Sequence, residues 1–226
     1  MTRPAIPCAR IIRRASVHAV LGFTCCVTAF PFLWMAVSSL KTKEEVLDTA
    51  SFLPSVPQFG NYRSILADSP IPGYLANSFF VSLAAAAIQL VCCALFTYAV
   101  TFMKIRGRDM LFRLVLFTYM VPTAVTYIPC YIILSRMGLL DSYQGLILSN
   151  GVSVFGIFLL HQAFEAVPKE TMEAARMDGA GHLSILTRII VPMTRPSFMT
   201  FILLSFINTY NSYMWPSLIT DSPNLS

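Results

Sequence analysis

The chain has 226 residues and a formal net charge of +5, with 56% hydrophobic and only 12% charged residues. A soluble globular domain is roughly half apolar and about a quarter charged. The composition therefore excludes an ordinary soluble enzyme and points to an all-α integral membrane protein, because single spans in lipid must satisfy their own backbone groups.

A helix crossing a bilayer needs about 20 mostly apolar residues. Five segments qualify: 17–38, 74–103, 111–134, 145–164 and 197–220. The apolar run from Val17 is longer than the roughly 7–15 residues of a signal peptide's apolar core, and no small-residue cleavage site closes it, so it is read as a retained first helix. Basic residues fix the orientation. Arg3, Arg10, Arg13 and Arg14, then Lys104, Arg106, Arg108 and Arg113, then Lys169, Arg176, Arg188 and Arg195 share one face, against Lys41, Lys43, Arg63 and Arg136 on the other. The positive-inside rule makes the N-terminus and residues 168–192 cytoplasmic. The positive charge thus reflects topology, not nucleic-acid binding.

Within the first span, Pro31 lacks an amide donor and is expected to kink the helix. Residues 41–73 combine charges with Pro54, Pro57, Pro70 and Pro72, which predicts an irregular extracytoplasmic loop with short helical pieces. In the second span Ser78, Ser82 and Ala86 lie one turn apart, a stripe for close helix packing. Gln89, deeper in, must face another helix rather than lipid. The third span carries Pro122 and Pro129 around Thr123, Thr126 and Tyr127. Carbonyls freed by two prolines need protein or a water-filled cavity, so Pro122 and Pro129 are either a pathway wall or packing kinks. The fourth span ends at His161-Gln162, an interfacial position; no intramembrane carboxylate is in view to pair with this histidine. The six cysteines, at 8, 25, 26, 92, 93 and 130, lack metal-ligand spacing, and packing is their expected role.

Residues 168–192 are too charged for hydrocarbon, with Lys169, Glu170, Glu173, Arg176, Asp178, His182 and Arg188. Pro168 suits a helix start, and Glu170 and Glu173 favour the positive end of its dipole. Gly179 and Gly181 end that helix. A second helix follows, with Leu183, Leu186 and Ile190 on one face, Ile185 and Ile189 beside it, and Pro192 as its stop.

The order Glu173-Ala174-Ala175, three residues, Gly179, nine residues, Ile189, one residue, Val191 and Pro192 resembles the EAA signature of permease subunits of binding-protein-dependent ABC importers, with Val191 where Leu is usual. Gly138-Leu139-Leu140-Asp141-Ser142-Tyr143 continues the likeness to carbohydrate permeases of the maltose-permease type, as does Tyr210-Asn211 followed by Pro216, with Tyr in place of Trp. The resemblance implies a type I permease fold over residues 1–226, with five spans present and the family's sixth helix missing, as in a fragment or a truncated product. It implies a cytoplasmic coupling loop at 168–192 that docks on an ATPase dimer through Glu173, Ala174, Ala175, Gly179, Ile189 and Pro192. It further implies a homologous permease partner, an extracytoplasmic binding protein and a bacterial inner membrane.

In the fifth span Ser205, Asn208, Thr209, Asn211 and Ser212 precede Tyr213 and Trp215. Neutral amides and hydroxyls suit an uncharged polyol, so Asn208, Thr209 and Asn211 are candidate pathway residues; bridging helices is the alternative. No phosphate-binding Gly-x-x-x-x-Gly-Lys-Ser/Thr loop is present, which puts ATP and Mg2+ in a separate ATPase and leaves no cofactor on this chain. No metal motif and no nucleophile, base and orienting group at recognisable spacing suggest a membrane enzyme, and the scarcity of midplane carboxylates disfavours an ion-coupled transporter. A sugar is the expected cargo, with glycerol phosphate or an amino acid as alternatives.

Overall fold

The computed structural model describes residues 8–48 and 51–221, with side chains from Arg13 onward. Two compact units, Met1–Ile71 and Pro72–Ser226, make up the chain.

The first unit holds helix α1 (Cys8–Ser38), which continues through Pro31. Its apolar side chains, Phe23 and Phe32 among them, are exposed and suited to lipid. The following segment carries two short helices, α2 (Lys43–Leu47) and α3 (Gly60–Asp68). A reciprocal cap starts α2: the Glu45 amide donates to Thr42 Oγ1 at 3.3 Å, and the Thr42 amide to Glu45 Oε2 at 3.1 Å. Lys41, expected only as a topological charge, is buried. Its ammonium donates to the Ser51 carbonyl at 2.5 Å and lies 5.0 Å from the centre of the Trp34 ring.

The second unit begins its spans with α4 (Ile71–Phe102), a continuous helix of 32 residues. The small-residue stripe packs as expected: Ser82 and Ala86 are buried. The remaining spans are broken, the third beside one of the prolines expected to interrupt it and the fourth and fifth where no break was expected. The third is split into α5 (Arg108–Thr118) and α6 (Thr123–Arg136), bent by 102°. Pro122, with extended backbone, is the N-cap of α6, while Pro129 lies inside it. The fourth divides into α7 (Tyr143–Ser149) and α8 (Val154–Glu165), bent by 48°, because Ser153 caps α8 by accepting from the Gly156 amide at 3.1 Å.

Between α8 and the fifth span come α9 (Lys169–Met177) and α10 (His182–Ile185), the latter running through a π-helical segment (Leu186–Ile190) into α11 (Val191–Met193). Pro192 does not stop this helix. The Val191 amide donates to the Leu186 carbonyl five residues back, and this widened register accommodates a residue without an N–H. The chain then turns by 87° at Thr194 into α12 (Arg195–Tyr210), and after a break at 211–213 ends its described helices with α13 (Met214–Ile219).

Two apolar clusters hold this unit together. The larger joins Cys93 and Tyr98 of α4, Leu160 and Phe164 of α8, Met172 and Ala175 of α9, Ile185, Leu186 and Ile190, and Phe198 and Phe201 of α12. The smaller gathers Val81, Leu134, Leu146, Trp215 and Ile219. Gly156 lets α8 meet α12, since a Cβ there would overlap the Phe201 ring. Of the cysteines, Cys93 is buried, but Cys25, Cys26 and Cys92 face outward, so core packing explains Cys93 and not these three.

Candidate functional site

The loop of residues 168–192 forms the two helices expected, and its inner face belongs to the main core. Gly179, at φ +78°, closes α9: its amide donates to the Arg176 carbonyl at 3.1 Å and the Ala180 amide to the Ala175 carbonyl at 3.0 Å. This is a Schellman ending, which favours glycine at the left-handed position. Gly181 instead caps the start of α10.

The predicted coupling residues fall into two sets. Glu173, Ala174, Gly179 and Pro192 are exposed, whereas Ala175 is buried among the chain's own side chains and Ile189 packs partly against them. Two apolar side chains that the sequence did not single out for coupling are exposed beside Gly179, Met177 at 84% and Leu183 at 68%. Leu183 was expected on one face with Leu186 and Ile190, but those two are buried and Leu183 is not. The turn at Gly179–Gly181 lets α10 enter with Ile185 inward instead, and Leu183, two residues away, faces outward.

A cavity of about 370 Å³ lies at the other end of α4. It is lined by Asn77, Ser78, Val81 and Ser82 of α4, Leu146 and Asn150 beside α7, and Thr209, Tyr210, Ser212, Tyr213 and Pro216 around the break in the fifth span, with Ser217 and Thr220. No charged side chain lines it. Tyr143 Oη donates to Asn77 Oδ1 at 3.0 Å. Ser82 Oγ is buried without a hydrogen-bond partner at the cavity's edge. Deeper along α4, Gln89 binds two helices at once: its Nε2 donates to the Asn150 carbonyl and its Oε1 accepts from Ser205 Oγ, both at 2.6 Å. Gln89 thus faces helices, as lipid demands.

Of the predicted pathway residues, Thr209 lines this cavity. Asn208, which points about 100° away from Thr209 on α12, and Asn211, in the break that follows, are exposed outside it. Pro122 and Pro129 are exposed and also lie outside it; Pro122 stands at the 102° bend that opens α6, and Pro129 lies within that helix. The break at Asn150–Ser153 escaped sequence reasoning, although Ser149-Asn150-Gly151 inside an apolar run is its signal. His161 has a carboxylate neighbour after all: Glu165, one turn along the helix and one residue beyond the expected span, lies 3.9 Å from its Nδ1, and the ring stacks on Phe112 at 3.9 Å.

Loop and cavity are connected through α4. Tyr98 Oη and His182 Nδ1 are 2.9 Å apart, and Arg176 Nη2 donates to the Phe102 carbonyl at 2.9 Å.

A family model described as the inner membrane component of binding-protein-dependent transport systems matches residues 91–226. The sn-glycerol-3-phosphate transport system permease protein UgpE of Agrobacterium fabrum is 29% identical over 96% of this chain and 80% of its own length. The arabinooligosaccharides transport system permease protein AraQ of Bacillus subtilis is 30% identical over 87% and 71%, and the lactose transport system permease protein LacG of Rhizobium radiobacter 28% identical over 91% and 75%. The fold matches a chain in the crystal structure of a bacterial ABC transporter involved in the import of the acidic polysaccharide alginate, with a TM-score of 0.87 and 26% identity over 99% of this chain and 79% of that one. With the family match covering well over half its length, on an all-helical scaffold of up to five spans, the chain belongs to the inner-membrane permease components of binding-protein-dependent ABC importers.

Proposed function

We propose that this permease admits a neutral sugar, handed over by an extracytoplasmic binding protein, through a pathway formed with a second permease subunit. The observation that carries the sugar reading is the cavity: amides, hydroxyls and tyrosines line it and no charge does. Such groups exchange hydrogen bonds with a polyol without holding it by charge, and the unpartnered Ser82 hydroxyl is one group left for a guest. The names of AraQ and LacG agree. A second reading, glycerol phosphate, is favoured by the likeness to UgpE, but a phosphate ester would need cations that this lining lacks.

Residues 168–192 act in this reading as the cytoplasmic coupling loop, with the N-terminus on the same side. Glu173, Ala174, Gly179 and Pro192 form the docking face, Met177 and Leu183 supply apolar anchors, and Ala175 and Ile189 hold the loop to the spans. ATP and Mg2+ belong to the docked ATPase dimer. Uptake into proteoliposomes holding the whole importer and its binding protein tests the cargo. ATP-dependent entry of lactose or an arabinooligosaccharide is expected; entry of sn-glycerol-3-phosphate alone would overturn the sugar reading.

A further inference from the structure

We propose that α4 is the rod that carries displacement of the coupling loop to the cavity, and that Tyr98, Arg176 and His182 are the positioning residues that fasten its inner end. This rests on the importer reading above and adds how the two sites communicate. Among the described spans of the second unit, α4 alone runs unbroken, whereas the others bend by 102° and 48° or break at 211–213. A bent span flexes at its joint, but a continuous helix moves end to end as one body.

Both ends of α4 are engaged. Its outer part supplies Ser78 and Ser82 to the cavity, and Tyr98 and Phe102 meet the loop. Ser82 and Tyr98 are 16 residues apart in sequence, or about 24 Å along the axis at about 1.5 Å per residue. Each loop helix has its own grip. Arg176, in the last turn of α9, donates to the Phe102 carbonyl in the last turn of α4, where carbonyls lack helical partners and the dipole favours a cation. His182, the first residue of α10, meets the Tyr98 hydroxyl, with the two rings edge to face at 5.7 Å. The grip extends into the bundle, since Phe102 stacks on Phe164 of α8 and Phe164 on Phe198 of α12, each at 6.0 Å. Pushing on the loop therefore pushes on α4 through these two grips, as well as on the flanking α8 and α12.

The test uses the importer purified with its ATPase and binding protein, native cysteines replaced, and spin labels on S78C and S217C at the cavity rim. ATP with vanadate is expected to shift the label distance in the parent complex. Tyr98→Phe keeps the ring and its packing, and should still bind the ATPase, yet cut the ratio of shifted to unshifted pairs about fivefold, the factor for one lost hydrogen bond of about 1 kcal/mol. Arg176→Gln should do the same. His182→Ala combined with Tyr98→Phe should add nothing beyond the larger single effect. A full shift in both Tyr98→Phe and Arg176→Gln would overturn the proposal, as would lower yield with a normal shift in the molecules that fold. A parent complex that binds no ATPase would instead sink the importer reading.

Discussion

Replacing Gln89 by Leu removes two hydrogen bonds of 2.6 Å, one to the Asn150 carbonyl and one from Ser205, while keeping side-chain size nearly constant. Hydrogen bonds between membrane helices contribute about 0.6 kcal/mol on average and about 1.7 kcal/mol at most. Losing both should cost about 1 to 3 kcal/mol, or about 5- to 150-fold in the folded-to-unfolded ratio. The upper part of that range applies if Ser205, which is buried, is left without an acceptor. The assay is unfolding in mixed detergent micelles titrated with SDS, followed by tryptophan fluorescence. A cycle with Ser205→Ala isolates one bond: the double variant should fall short of the summed single losses by about 0.6 to 1.7 kcal/mol. Strict additivity would show that Gln89 and Ser205 are not bonded, and the polar tie beneath the cavity would be refuted.

Gly156→Ala should destabilise by about 1 to 3 kcal/mol by driving a methyl into the Phe201 ring, with part of the loss recovered in Gly156→Ala/Phe201→Leu; no recovery would mean that the two do not meet. Ala174→Leu and Ala175→Leu should part company. The first is expected to fold normally and lose ATPase co-purification, whereas the second overfills the chain's own core and lowers its SDS midpoint; the reverse pattern would place the docking face on the wrong side of α9. Glu45 is held below its ordinary carboxylate value of 4.5 by hydrogen bonds from the Ser55 hydroxyl, then from the Thr42 and Ser55 amides. Its folded-state value is depressed, so its stabilisation is complete above pH 4.5 and is lost as pH falls through that lower value. Amide exchange in α2, corrected for intrinsic rates, should stay level from about pH 7 to about pH 5 and rise only below that window; Glu45→Gln should abolish the acid-dependent rise.

Hydropathy made the spans legible because lipid imposes the same demand on every apolar stretch, and α4 differs from the expected 74–103 by three residues at its start and one at its end. The loop of residues 168–192 was legible because its charges are unsuited to hydrocarbon and Gly179 marks a left-handed turn. The cavity was not. Its outline depends on breaks at 150–153 and 211–213, where backbone groups find partners in other helices, such as Gln89 for the Asn150 carbonyl 61 residues away. Periodicity carries no trace of such pairing. It likewise grouped Leu183 with Leu186 and Ile190 on one face, whereas the entry angle of α10, set by the turn at Gly179–Gly181, buries those two and leaves Leu183 exposed. Tyr98 and His182 read separately as a span aromatic and a loop charge, and only folding brings them together across 84 residues.

The side of the membrane on which the loop stands decides whether any ATPase can drive this permease. Met177, exposed at the loop's tip, offers the direct measurement: Met177→Cys in a cysteine-free chain, treated with a membrane-impermeant maleimide in right-side-out and inverted vesicles. Labelling in inverted vesicles alone is the expected result. Labelling in right-side-out vesicles alone would put the loop outside the cell, beyond the reach of an ATP-fuelled partner.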